Sequence, residues 1–203
     1  MRNEYPATAQ GPRRETLRGL KEQGDLWQTV DNIINKKDFV PHRKKSDGSD
    51  VNCLVLANEQ LAKAGYTSEP GDEAAIHTYS ETGGVNLNNT RIAIKYINTE
   101  LKMGIPVLVG VDAFSGRKKV NFDGTTDHFI VIVGSGTDQK GEFFRFYDNS
   151  TQSVWDGTSN NNKLYYDKST GIISGNTDSG YGSLPNSHPY ILSQVRKSIS
   201  KRL

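Results

Sequence analysis

The chain is poor in cysteine: among its 203 residues, Cys53 is the only one. A single thiol cannot form an internal disulfide, so no covalent cross-link within the chain supports the fold. The cysteine and the four histidines also lack the close pairing in sequence that zinc sites show. We therefore expect neither a metal nor any other cofactor.

Long apolar runs are missing as well. No stretch approaches the roughly 18 apolar residues that a membrane-spanning helix needs, and residues 1–11 lack the apolar core of a secretory signal peptide. The sequence predicts a chain without a membrane span. We expect it to be used in the cytoplasm of its producer, exported by a machinery that needs no cleaved signal, or cut from a longer polypeptide.

Neither sign of charge dominates, since 25 Lys and Arg residues face 23 Asp and Glu residues. A net charge of +2 argues against nucleic acid as the main partner, because a protein that follows phosphates usually carries a concentrated basic face. The hydrophobic fraction of 34% is low for a globular protein. A chain of this length can still bury one core, so we expect residues 1–203 to form a single domain.

Apolar spacing predicts helices in the first half of the chain. Residues 16–35 show helix-like spacing interrupted by Gly19 and Gly24, which indicates that residues 1–45 form a helical N-terminal segment. A second helix is predicted over 51–64, with Asp50 as its N-cap and Gly65 as its stop. A third helix is predicted over 90–102.

The second half of the chain predicts strands followed by a polar region. The runs 105–111, 128–133 and 142–147 are short and rich in β-branched or aromatic residues, and the last two are expected to form an antiparallel hairpin. Residues 150–187 are typical of a polar, loop-rich insertion, with a small hairpin expected over 164–173, and residues 189–203 of an amphipathic C-terminal helix.

Three chemically useful residues stand at the ends of these elements. Cys53 falls in the first turn of the predicted helix, where the helix dipole favours a thiolate by roughly 0.3 to 1 kcal/mol. His128 opens one strand of the hairpin and Asp148 follows the other, so antiparallel pairing brings both to the same end of the sheet. A thiol attacks a carbonyl only as thiolate, and it needs a base and a group that orients this base. The three side chains match these needs.

Each of the three also has an ordinary structural explanation if taken alone. A solitary cysteine is usually a small buried residue, a histidine at a strand start can be a simple polar cap, and an aspartate followed by Asn149 is typical of a turn. Their joint position at element ends favours catalysis. Among the other histidines, His77 is the reserve candidate for the base, and surface positions are expected for His42 and His188.

Three motifs resemble one protein superfamily: NCLVLANEQLAKAGY at 52–66, GIPVLVGVD at 104–112, and DHFIVIVGSG followed by FFRFYDN within 127–149. They are similar to the papain-like cysteine peptidases, in particular to the bacterial branch of C39-like peptidases and type VI secretion amidase effectors. The resemblance implies an α+β, papain-like fold. In that fold N-terminal helices, with the nucleophile at a helix start, pack on a small antiparallel sheet.

The resemblance also implies roles for single residues. Cys53 matches the nucleophile, His128 the general base and Asp148 the residue that orients the imidazole, with Asn149 as the alternative third member. The family usually carries a glutamine several residues before the cysteine as an oxyanion donor, and this chain has aspartates there. Asn52, together with the backbone N–H of the cysteine, is therefore the candidate donor.

The function implied is that of a cysteine peptidase or amidase that cleaves an amide bond in a peptidoglycan peptide or a protein. We expect a secreted bacterial effector or toxin domain, with a cognate immunity protein as a partner. Transglutaminases and deamidases use the same order of Cys, His and Asp, so amine transfer or deamidation is an alternative. A non-catalytic binding domain is a further one.

Overall fold

The computed structural model describes residues 27–114, 116, 121–180 and 189–201. Its helices are α1 (Cys53–Ala62), α2 (Leu87–Lys102) and the single turn α3 (Val154–Gly157). None of the described helices is long and apolar enough to cross a bilayer. The strands are, in chain order, β1 (Tyr66–Ser68), β2 (Ile76–His77), β3 (Tyr79–Ser80), β4 (Gly84–Val85), β5 (Val107–Asp112), β6 (His128–Asp138), β7 (Gly141–Tyr147), β8 (Lys163–Tyr166), β9 (Ile173–Gly175), β10 (Tyr190–Arg196) and β11 (Ser198–Ser200).

Six of these strands close into an antiparallel barrel. Their order is β10, β5, β6, β7, β8 and β9, and β9 pairs back with β10, while β2 extends the sheet beside β10. The expected α+β, papain-like fold with helices on a small antiparallel sheet is therefore wrong, because the molecule is mostly β. The small hairpin predicted over 164–173 is confirmed as the antiparallel pair β8 and β9, but it was expected within a loop-rich insertion and forms part of the barrel. The strand β10, which closes the barrel, was expected to be a helix.

The polar segment 150–187 is more ordered than its composition suggests. It contributes α3, β8 and β9, while its residues 181–187 lie outside the described part of the chain. Leu164 and Ile173 are buried, and one apolar side chain on each strand is enough to seat a short strand in the barrel wall. At Gly175 an added Cβ would lie 1.8 Å from the carbonyl oxygen of Lys163, so the close approach of β9 to β8 requires glycine.

The C-terminal segment is also strand rather than helix. The helix predicted over 189–203 is wrong, since the described residues 190–196 and 198–200 form β10 and β11. Leu192 and Val195 are buried. The pairing of β10 with β5 has a register shift between Leu192 and Gln194. Because of this shift, the apolar residues of β10 have a spacing in sequence that also fits a helix. Pairing within the barrel overrides the local preference for a helix.

The N-terminal prediction fares no better where the chain is described. Between residues 27 and 45 the structure has one 3-10 turn, Lys36–Asp38, and otherwise irregular backbone with isolated β-bridges. Trp27 donates its indole N–H to the carbonyl of Gly136 at 2.9 Å, and Val30 forms a backbone bridge with Ser135. This segment therefore runs beside the second half of β6. The predicted helix falls otherwise on residues 1–26, outside the described residues.

Strand β6 holds the two long helices because its residues alternate between two buried clusters. Ile130 and Ile132 pack in a cluster that includes residues of α2, whereas Phe129, Val131 and Val133 pack with residues of α1. The helices predicted over 51–64 and 90–102 are thus confirmed as elements. The packing of α1 on β6 fixes the start of that helix beside the start of that strand.

Candidate active site

Three side chains predicted from the sequence meet at one end of the barrel. Cys53 is the first residue of α1, His128 the first residue of β6, and Asp148 follows the last residue of β7. His128 Nε2 lies 2.9 Å from Asp148 Oδ1, and both side chains are fully buried. The sulfur of Cys53 lies beside the same imidazole: the two groups line one cavity and shift each other's pKa. The imidazole therefore links the sulfur and the carboxylate, which is the arrangement that nucleophilic catalysis requires.

The surroundings favour the charged form of the sulfur. Burial by itself raises the pKa of Cys53, but the hydrogen bond and charge of His128, together with backbone hydrogen bonds from Phe129 and Leu54, lower it overall. The sulfur also sits at the N-terminus of α1, where the helix dipole stabilises an anion. A lowered pKa gives a larger fraction of thiolate near neutral pH.

The imidazole is shifted in the opposite direction. Burial by itself lowers the pKa of His128, but the charge and hydrogen bond of Asp148 and the contact with Cys53 raise it. Burial by itself raises the pKa of Asp148. The charge and hydrogen bond of His128, together with the hydrogen bonds of its other neighbours, lower it to about 2. All three shifts act together to favour a thiolate next to an imidazolium, with an ionised carboxylate behind it.

Asp148 is the centre of a buried hydrogen-bond network. Its Oδ1 accepts from His128 Nε2 and from the backbone N–H of Ser150 at 3.0 Å. Its Oδ2 accepts from the hydroxyl of Thr177 at 2.7 Å and from that of Tyr190 at 3.0 Å. Four donors match the four lone-pair positions of a carboxylate, which explains how the charge is tolerated without water.

The alternative third member, Asn149, has a different contact. Its amide Nδ2 donates to the carbonyl of Val40, and the residue also lines the cavity of the sulfur. The structure therefore places Asp148 against the imidazole and uses Asn149 to tie the end of β7 to the segment before α1.

Asn52, the predicted oxyanion donor, is the N-cap of α1. Its Oδ1 accepts from the backbone N–H of Leu54 at 2.8 Å, a contact expected at position 50 from the sequence and found two residues later. Asn52 is exposed and is not among the residues that line the cavity of Cys53. Its role as a donor stays a prediction. The backbone N–H of Cys53 belongs to the first residue of the helix and has no intrahelical acceptor, and such N–H groups commonly bind anions.

The sulfur and the imidazole open into a cavity of about 320 Å³. This volume is within the range of small-ligand sites. The cavity is also lined by His42, which sequence analysis assigned to the surface, and its Nε2 lies 3.3 Å from Asp50 Oδ1 at the rim. The residues lining it are His42, Asp50, Val51, Cys53, Leu56, His128, Asn149 and Ser150.

His77, the reserve candidate for the base, lies in another cleft, of about 850 Å³. Its ring stands between two carboxylates, with Nε2 3.9 Å from Asp72 Oδ2 and Nδ1 4.0 Å from Asp123 Oδ2. One ligand atom of each residue lies within 4.8 Å of the others, a spacing that could hold a metal ion. His188 lies outside the described residues.

The carboxylate of Asp123 is already saturated by protein donors. Its Oδ1 accepts from the backbone N–H groups of Thr125 and Thr126, and its Oδ2 from Thr126 Oγ1 and Gln194 Nε2. A carboxylate has about four acceptor positions, so none is left for a cation. We therefore assign Asp123 a structural role in the loop before β6.

Thr177 and Tyr190 were missed by sequence analysis. Thr177 lies in the segment expected to be a polar insertion, and Tyr190 in the segment expected to be a helix. Neither residue is near Asp148 in sequence, and the closed barrel brings them to it. The sequence alone therefore gives no sign of their role.

Comparison with known proteins gives little support for any assignment. No family model matches the chain, and no curated protein matches it. Among solved structures, the chain is similar to SERA5E from Plasmodium falciparum, at 19% sequence identity and a TM-score of 0.28. The alignment covers 77% of this chain and 51% of that chain, so the present chain spans about half the length of its neighbour. A likeness of this degree carries no argument about fold or function.

Proposed function

We propose that this protein is a cysteine hydrolase that cleaves an amide bond. Cys53 is the nucleophile, His128 the general base and Asp148 the group that orients the imidazole. The observation that carries the proposal is the buried imidazole of His128, which is hydrogen-bonded to the buried carboxylate of Asp148 and shares one cavity with the neighbouring sulfur of Cys53. No metal or organic cofactor enters the scheme.

The chemistry proceeds in two halves. His128 accepts the proton of the thiol, and the sulfur of Cys53 attacks the carbonyl carbon to form a tetrahedral oxyanion. The backbone N–H of Cys53 donates to this oxyanion, whose collapse breaks the C–N bond. The imidazolium gives its proton to the leaving amine, and a thioester remains. Water, deprotonated by the same imidazole, then attacks the thioester and releases a carboxylic acid and the free thiol.

The substrate class in this proposal is a peptide, either in a protein or in the stem of peptidoglycan. The support is the resemblance of the segments 52–66, 104–112 and 127–149 to C39-like peptidases and type VI secretion amidase effectors. In that setting the protein acts as a delivered toxin, and the expected partner is an immunity protein that covers the cavity. Co-purification with the product of a neighbouring reading frame tests for such an inhibitor.

A panel of peptides, proteins and peptidoglycan fragments tests the activity. We expect cleavage by the wild-type protein and its loss, by a factor of about 1,000 or more, in Cys53→Ala and in His128→Ala. His77→Ala is the matched control, because that histidine lies in the other cleft, and its activity should equal that of wild type. Cleavage that persists in Cys53→Ala would refute the proposal.

The same panel separates hydrolysis from its closest alternative. Transglutaminases and deamidases form the same acyl-enzyme, so the geometry of the three residues suits them too. Hydrolysis of a backbone or stem bond yields two fragments, whereas glutamine deamidation leaves one product that is heavier by about one mass unit. Mass spectrometry of the products therefore decides between the reactions.

A further inference from the structure

The carboxylate of Asp148 is held by two hydroxyls on the side away from the imidazole. Thr177 Oγ1 and Tyr190 OH both donate to Oδ2, and both residues are at least nine-tenths buried. The ring of Tyr190 also packs edge-on against the ring of His128, with centroids 5.8 Å apart. Tyr190 thus contacts both members of the buried ion pair.

These hydroxyls lie where the barrel closes, at the end of β9 and the start of β10. Tyr190 is the first residue of β10 and is paired with Gly175, the last residue of β9. Thr177 follows β9 by two residues. Asp148, at the end of β7, therefore receives its two outer hydrogen bonds from the seam between β9 and β10.

We propose that Thr177 and Tyr190 are positioning residues, whose hydroxyls fix the carboxylate of Asp148 so that its other oxygen faces His128 and the thiol of Cys53 is activated. The inference rests on the proposed function and extends it, because it makes closure of the barrel a condition for a reactive sulfur. Neither residue touches the reacting atoms.

The physical reason is the cost of a buried charge. An ionised carboxylate away from water is stable only when its lone pairs are filled, and here Oδ2 has two side-chain donors. Loss of one donor leaves the carboxylate free to turn away from the imidazole or to take up a proton. Either change lowers the pKa of His128, so that a smaller fraction of the imidazole is charged. The thiolate of Cys53 is then stabilised less. The titratable groups within this hydrogen-bonded and stacked group are Cys53, His128, Asp148 and Tyr190. Two more, His42 and Asp50, line the same cavity as the sulfur and pair with each other at 3.3 Å.

The test is the rate of alkylation of Cys53 by iodoacetamide as a function of pH, which needs no substrate. Thr177→Val and Tyr190→Phe remove one hydroxyl each and keep the size of the side chain. In each variant we expect a rate at pH 6 that is lower by about tenfold, with the rise of the profile moved to higher pH. Thr177→Ser keeps the hydroxyl and should react like wild type. In an Asp148→Ala background, Thr177→Val should cause no further loss, since it acts through the carboxylate.

A matched control removes a similar bond elsewhere. Tyr165 donates its hydroxyl to Asp138 at 2.9 Å on the outside of the barrel, so Tyr165→Phe should leave the profile unchanged. An unchanged profile in folded Thr177→Val and Tyr190→Phe overturns the proposal. Equal losses in Thr177→Ser and Thr177→Val also overturn it, because packing rather than the hydroxyl would then be responsible. Slow alkylation of the wild-type protein itself, at the rate of a free thiol, would overturn the proposed function as well.

Discussion

At the scale of single residues, the candidate site depends on one buried imidazole between a sulfur and a carboxylate. The pKa of Cys53 is lowered and that of His128 raised, in spite of burial that acts against both charges. Such opposed shifts in adjacent groups are typical of reactive sites. The ionised state of Asp148 sustains both.

Asp148→Asn tests this dependence with almost no change in side-chain volume. Without the negative charge, the pKa of His128 should fall and that of Cys53 should rise, so that less thiolate is present at neutral pH. We expect amide cleavage to fall by about 100-fold or more. Cleavage assays with the variant check this, and wild-type turnover would show that the carboxylate has no part in the reaction.

The three central residues could be predicted from the sequence because each stands at the end of an element that is itself predictable. The residues around them could not. His42 reaches the cavity through an irregular segment, while Thr177 and Tyr190 reach Asp148 only through the barrel seam. No local pattern in a single sequence reports such long-range contacts.

At the scale of elements, the start of α1 matters most, since it carries the sulfur. Asn52 caps the helix through its carboxamide oxygen. Asn52→Ala should lower the free energy of unfolding by about 1 kcal/mol, because the N–H of Leu54 loses its partner. Urea denaturation measures the change, and Asn52→Ser, which keeps a capping oxygen, should recover most of it. Equal stability of the Ala variant would contradict the assigned cap.

The strand β9, which pairs with β8 on one side and with β10 on the other, is the second element on which the site depends. In Gly175→Ala the new methyl group would meet the backbone of Lys163 at 1.8 Å, so β9 has to move. We expect a loss of about 1–3 kcal/mol in the free energy of unfolding and slower alkylation of Cys53. Ser174→Ala, in the same strand, adds no atom and is the control. A Gly175→Ala protein as stable as wild type would mean that the strands lie further apart.

The helices α1 and α2 were predictable from apolar residues at helical spacing, and the strands β5 to β7 from short runs of β-branched and aromatic residues. The last two strands, β10 and β11, were not. Apolar residues at 191, 192, 195 and 199 fit a helix, and the register shift in β10 produces that spacing within a strand. Barrel closure, a property of distant segments, decided the outcome.

At the scale of the whole molecule, the buried ion pair links stability to pH. The pKa of His128 is raised above its ordinary value of 6.5, so its contribution is complete below pH 6.5 and is lost as the pH rises through the folded value, about 10. The pKa of Asp148 is lowered from 3.8 to about 2, so its contribution is complete above pH 3.8 and is lost as the pH falls through 2.

The two windows overlap between about pH 4 and 6.5, where the pair stabilises the fold most. We expect the difference in free energy of unfolding between Cys53→Ala and Cys53→Ala/Asp148→Asn to be largest there and to shrink on both sides. The Cys53→Ala background removes the titration of the thiol. Denaturation series at several pH values measure the difference, and one that is flat from pH 3 to 9 would speak against a buried ion pair.

The most direct test of the central claim, that His128 holds Cys53 as a thiolate, is the pH profile of Cys53 alkylation in wild type and in His128→Ala. In wild type we expect the half-maximal rate well below the ordinary thiol pKa of 9.0. In His128→Ala it should return to that value or rise above it, because burial of the sulfur is then opposed only by the helix dipole and by the smaller effects of the backbone hydrogen bonds from Phe129 and Leu54. Coincident profiles, or a wild-type midpoint at 9.0 or higher, would contradict the account.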